Sequence, residues 1–288
     1  MIEMKTPEDG TRREGQKIAP ALARTLIVAP HPDDDAIATG GLMQKVLASG
    51  GQLRILFVTD GESNPWPQRF QQRKIVITEA DRAAWGALRR AEAICSLASL
   101  GVASDSAAFL GFPDQHLSSL LLSGDQQLLR RLVQEIEQFR PTLIAAPSKL
   151  DLHPDHRAIS CFVHDAVRQA GVDPPALVTY VIHGGADEHR LSSKFELTAE
   201  ERQRKWTAIA CHVSQLALSR ERFLAHARGS EMFYVPEDDL ERPGRLRLWS
   251  GWMQHIFRVL FWWPKREPAP AVVDPDTPSE TEARAAHV

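Results

Sequence analysis

Cysteine is scarce in this 288-residue chain: three residues, at 95, 161 and 211, with no C-x-x-C pair among them. Their scarcity excludes a disulfide-stapled mini-domain and a thiolate metal cluster, and the odd count suits a reducing compartment. Each thiol stands among apolar or small neighbours and reads as a buried free cysteine. No run of 18 apolar residues occurs, so nothing in the chain reads as a membrane span. A surplus of one charge is missing as well. The formal net charge of −3 offers nucleic acid no basic surface, and no nucleic-acid partner is expected. The N-terminal MIEMKTPEDGTRREGQK lacks the apolar core of a signal peptide, which places the expected location in the cytoplasm. There is no internal repeat.

What the chain has is alternation. Residues 1–23 are charged and without periodicity, and read as a mobile arm. From Thr25 onward, short β-branched runs alternate with amphipathic stretches of ten or more residues. Strands are expected at 25–29, 53–59, 107–110, 142–146 and 176–183. Helices are expected at about 36–47, 79–100, 126–139 and 156–170, with a helical pair over 198–228. Residues 62–78, with Pro65 and Pro67, read as a long loop. This order predicts an α/β fold, a Rossmann-like three-layer sandwich with a mostly parallel sheet and helices on both faces. The domain covers 24–235. Such sheets bind ligands at the carboxyl ends of their strands.

Two motifs stand at strand ends. The first strand runs into Pro30-His31-Pro32-Asp33-Asp34-Asp35, and the strand 142–146 leads to His153-Pro154-Asp155-His156. Histidine and aspartate together suit a divalent metal of borderline softness, with zinc as the default. Either motif alone also fits a capped helix start, since aspartate is favoured at an N-cap and suits the helix dipole. A cap, however, gives no reason for the histidines.

With these residues in view, the chain strongly resembles the LmbE-like (PIG-L) deacetylases, whose hallmarks are A-H-P-D-D-E after the first strand and H-P-D-H. Thr59-Asp-Gly-Glu62, Arg89-Arg-Ala-Glu92, Phe109-Leu-Gly-Phe-Pro-Asp114, Ser214-Gln215 and Glu231-Met-Phe233 extend the likeness over about 24–235. The resemblance implies a zinc-dependent deacetylase that removes the acetyl group from an N-acetylated amino sugar of the N-acetylglucosamine type, releasing acetate and a free amine. It makes His31, Asp34 and His156 the ligands of one Zn2+ per chain, with Fe2+ or another divalent ion as the competitor. Asp33 is then the general base. His153 is an imidazolium facing the developing oxyanion, held by Asp155. Arg89 and Asp114 contact sugar hydroxyls, and His183 either lines the pocket or is a structural residue. Asp35 stands where the family has Glu and is expected to support the site from behind the ligands. An amidase of a non-sugar conjugate and a degenerate sugar-binding member are the competing readings.

Residues 242–266 differ in composition. They carry six Lys and Arg and no acid, and Trp249, Trp252, Met253, Ile256, Leu260 and Trp263 recur at helical spacing. That stripe fits packing on the domain, a homo-oligomer interface, or peripheral membrane contact. Membrane contact would suit a lipid-linked rather than a soluble small-molecule sugar. Residues 267–288, rich in Pro, Ala and acids, read as disordered.

Overall fold

A computed structural model of the chain describes residues 24–184, 188–234 and 236. The arm 1–23 and the segments 242–266 and 267–288 lie outside the described residues. Seven strands form one sheet in the order β3-β2-β1-β4-β5-β7-β6. They are β1 Arg24–Ala29, β2 Gln52–Thr59, β3 Ala107–Phe112, β4 Leu143–Pro147, β5 Ala176–Tyr180, β6 Leu191–Phe195 and β7 Glu231–Tyr234. The first five pair in parallel, and β7 runs antiparallel to both β5 and β6.

The central strands are buried on both faces, which is why they read as continuous apolar runs. In β1, Ile27 and Ala29 face one core with Phe57 of β2. Leu26 and Val28 face the other with Leu56 and Val58. Helices α1 (Asp34–Ala48), α3 (Glu79–Ser99), α7 (Ala199–Ala210) and α8 (Val213–Ala225) supply the first core. Helices α4 (Leu117–Ser123), α5 (Gln127–Phe139) and α6 (Pro154–Gln169) supply the second. Thr78 and Thr198 close capping boxes with Asp81 and Glu201, which starts α3 and α7 where the Thr-x-x-acid spacing says they should.

Three local expectations change. The stretch 62–78 contains a helix, α2 (Pro65–Gln72). Asn64 accepts from the Trp66 N–H, and Pro65 occupies the first turn, where its missing N–H costs nothing. The pair β6 and β7 was not expected, because each is short and polar-flanked and pairs only across two intervening helices. All three cysteines are free, but Cys95 is exposed rather than buried.

The last strand is tied to α7 by a buried ion pair, and to the first helix by the same carboxylate. Lys205 Nζ lies 2.6 Å from Glu231 Oε1, and the same carboxylate accepts from Gly41 N and Leu42 N at 2.6 and 2.8 Å. A side chain at position 41 would meet Leu197 at 2.2 Å, so only glycine lets that carboxylate reach the backbone. This contact anchors the frame on which the chemistry sits.

Candidate metal centre

The chain adds β2 and β3 on one side of β1, then returns to place β4 on the other. The carboxyl ends of β1 and β4 therefore flank the point where strand order reverses, the usual crevice of such sheets. Both histidine motifs enter it.

After β1 the backbone turns sharply. Asp34 N donates to His31 O, and Asp34 Oδ2 accepts from His31 N at 2.9 Å. The same oxygen lies 3.1 Å from His31 Nδ1 and 3.2 Å from His156 Nε2. Each imidazole is backed by carboxylate on its far side. His31 Nε2 faces Asp114 Oδ1 at 3.2 Å and Asp155 Oδ2 at 3.5 Å, and His156 Nδ1 faces Asp151 Oδ2 at 3.2 Å. Backing of this kind selects the tautomer that presents the other nitrogen to a metal. His156 Nε2 is fully buried and makes no hydrogen bond, despite its distance from Asp34. Two imidazole nitrogens and a carboxylate oxygen converge there, one of them an orphaned buried atom, which fits a divalent cation.

Asp33 stands at the N-cap position of α1, yet its side chain makes no capping bond, and its backbone is strained at φ 131°, ψ −31°. A non-glycine residue there is costly and persists only when its surroundings hold it. Arg89 does so. Its guanidinium donates to Pro32 O at 2.6 Å and Gly61 O at 2.8 Å, and Nη2 lies 3.2 Å from Asp33 Oδ2. Gly61 makes room for it, since a Cβ there would fall 1.7 Å from Arg89 Nη1.

The second motif is a capped helix start and a cluster of donors together. His153 Nδ1 accepts from Asp155 N at 3.2 Å, and Pro154 occupies the first turn of α6. Asp151 organises the loop before it. Its Oδ1 accepts from His153 N at 2.8 Å, and its Oδ2 from Ile182 N and His183 N at 2.8 and 3.1 Å, besides facing His156. The ring of His153 lies 4.8 Å from that of His31 and 4.9 Å from that of His156.

The electrostatics follow from the crowding of buried acids. Burial pushes Asp33 up to about 7, against the opposing pull of Arg89. Burial also opposes ionisation of Asp34, but the neighbouring imidazoles, His156 first and then His31, outweigh it and hold Asp34 well below the carboxylate range. Burial disfavours the charged form of His31 too. Hydrogen bonds to Asp114, Asp155 and Asp34 win, and its pKa is raised. His156 is likewise raised, to about 10, chiefly by Asp34 and Asp151 overcoming burial. The cluster therefore calls for positive charge at its centre, from protons or from a divalent cation.

Several expected roles move. Arg89 is 4% exposed, donates to two carbonyls and faces Asp33, so it braces the turn. Asp114, 2% exposed, backs His31 and accepts from Ser63 N. Asp155 turns its carboxylate to His31 and Gln115 N, and gives His153 only its backbone N–H. That N–H, aimed at Nδ1, leaves Nε2 as the nitrogen that carries the ring hydrogen. Asp35 is wholly buried with no hydrogen-bond partner on either oxygen, and burial pushes it up to about 7. The Asp35 carboxylate thus hydrogen-bonds to neither His31 nor His156. Asp151 was missed by the sequence reading. Its signal, an acid two residues before His153, is easily passed over in a loop.

Residues 26–167 match the family PIG-L: GlcNAc-PI de-N-acetylase. The chain carries a PIG-L domain. It is 29% identical over 149 residues to a 1D-myo-inositol 2-acetamido-2-deoxy-alpha-D-glucopyranoside deacetylase of Mycobacterium sp. (strain KMS), covering 47% of each protein. It is 28% identical to the diacetylchitobiose deacetylase of Thermococcus kodakarensis, covering 60% of this chain and 58% of that enzyme. The chain thus spans about half the length of the curated relatives it matches. Among solved structures, the conserved protein TT1542 from Thermus thermophilus superposes with a TM-score of 0.54 at 25% identity, covering 77% of this chain and 98% of that one. The PIG-L match spans β1 to α6 and so includes both histidine motifs. No described helix is long and apolar enough to cross a membrane.

Proposed function

We propose that this protein is a metal-dependent hydrolase that removes the acetyl group from an N-acetylglucosamine-type sugar. The observation that carries the reading is the convergence of His31, Asp34 and His156 beside an uncapped, strained Asp33. His31 through Nδ1, Asp34 through Oδ2 and His156 through Nε2 hold one divalent ion, zinc by preference for this donor set. When bound, that ion supplies a Lewis acid that polarises the acyl oxygen and makes a water acidic near neutral pH.

The chain's own groups do the rest. Asp33 accepts the proton of the attacking water, a task suited to a carboxylate whose pKa burial has raised towards neutrality. Arg89 keeps Asp33 in its strained position. His153 donates its Nε2 hydrogen to the oxygen on which negative charge develops. The proton held by Asp33 passes to the leaving nitrogen as the C–N bond breaks, giving acetate and a free amine. The names of the relatives, deacetylases of a glucosaminyl-inositol and of diacetylchitobiose, support the sugar class.

Metal analysis of the purified chain is expected to find about one divalent ion per chain. Acetate release from a panel of N-acetylglucosamine glycosides is the decisive assay. A metal-loaded protein that releases acetate from none of them, but cleaves another amide, would assign the same centre to a different substrate.

A further inference from the structure

A fourth imidazole enters the cluster from β5's far end. The ring of His183 lies 5.0 Å from that of His156 and 5.3 Å from that of His153, and ligand atoms of Asp34, His156 and His183 all fall within 4.8 Å of one another. This is the reach of a single coordination sphere.

The position of His183 is built. Asp151 Oδ2, which faces the far nitrogen of His156, also accepts the backbone N–H of His183, so one carboxylate sets both histidines. Leu152 N donates to His183 O at 2.8 Å. The next residue, Gly184, sits at φ +119°, and a Cβ there would come within 2.9 Å of Leu152. A larger residue would push residues 182–184 off the loop that carries His153 and His156. The backbone is thereby laced to the metal loop on both sides of His183, and the ring is partly buried among the other imidazoles.

From this geometry we infer that His183 is an additional protein ligand to the same ion, shared with Asp34 and His156. The inference rests on the metal reading proposed above and deepens it. A three-ligand catalytic site leaves one open position, and a further imidazole raises the coordination number and the affinity of the resting site. It also makes the centre richer in nitrogen, which favours zinc, iron or cobalt over magnesium or calcium.

The test needs no substrate. In wild-type protein with 15N-labelled histidine and loaded with 113Cd, cadmium–nitrogen coupling is expected on three imidazole rings, those of His31, His156 and His183. Coupling on His31 and His156 alone overturns the inference and leaves the metal reading intact. Failure of the protein to bind cadmium, zinc or cobalt overturns both. As a second measurement, His183→Asn loaded with Co2+ is expected to change the position and intensity of the visible d–d bands. Its zinc affinity in chelator competition is expected to fall at least tenfold. Bands and affinity identical to wild type would mean that His183 stands outside the coordination sphere.

Discussion

The turn after β1 and the loop before α6 hold the same kind of side chain in opposite ways. The turn is strained and externally braced. Asp33 sits at φ 131° without a capping bond, Asp35 is buried without partners, and Arg89 reaches in from α3 to hold the Pro32 carbonyl. The loop is relaxed and self-satisfied. Asp151 accepts four donors within its own neighbourhood, and His153 caps the helix that follows. Strain persists only where the surroundings over-determine it, and it gathers where a reactive group must be aimed. On the proposed reading both segments hold the ion, and the difference sets the strained Asp33, braced by Arg89, apart from the relaxed Asp151, which backs His156.

On that division, substitutions at Asp33 and its brace lower turnover, and substitution of Asp151 lowers metal affinity. The largest effect is expected for Asp33→Ala, where kcat for acetate release falls by about 10²–10⁴-fold while metal content stays at wild type. Loss of the metal with the same substitution would break the comparison. Arg89→Met comes next, because it leaves the strained turn without its brace. A drop in kcat of about 10²-fold is expected from misplacement alone. The rate profile adds a directional check. The base must be ionised, so the rate of the wild type rises as pH increases through the Asp33 pKa. Arg89 lowers that pKa, so its removal shifts the acid limb to higher pH.

In the loop, Asp151→Asn keeps the shape but not the charge that backs His156. Its zinc affinity is expected to fall by about 10- to 100-fold, recovered as turnover when excess metal is supplied. A kcat defect that saturating metal does not cure would assign Asp151 a chemical role as well.

The smallest effect is on stability. The pKa of Asp35 in the metal-free fold is about 7, against about 3.9 in an unfolded chain. Between those values the folded state binds the extra proton, so this group's contribution to stability falls as pH rises, by about 1.4 kcal/mol per unit. Asp35→Asn is accordingly expected to stabilise the metal-free protein by about 1–3 kcal/mol at pH 8 and to be neutral near pH 4. Urea titrations at the two pH values measure it. Equal stability of variant and wild type at both would mean that Asp35 ionises without penalty.

Much of the fold was legible because local signals and global pattern agree. Continuous apolar runs marked the five parallel strands, and amphipathic stretches marked the long helices between them. Helix α2 was not legible, because Pro65 and Pro67 read as breakers unless Asn64 is recognised as a cap. Strands β6 and β7 were hidden for a different reason: their pairing spans two helices and leaves no local trace.

In the site, residue types and strand-end placement nominated the two histidine motifs, and the family resemblance picked out His31, Asp34, His156, Asp33 and His153 within them. Spacing along one turn constrains which side chains can converge, and that constraint is local. Which carboxylate backs which ring was not local. Asp114 comes from the end of β3, Asp151 from the loop after β4, and both Asp114 and Asp155 turn to His31. Arg89 was expected as a substrate contact from the family resemblance, and only the folded chain shows it buried against Pro32 and Gly61 as a brace of the turn. Motif chemistry and the family pattern thus determined the candidate ligands. Through-space packing at the reversal between β1 and β4 decided their partners, their protonation and the arrival of His183, because partners distant in sequence meet only when the sheet is assembled.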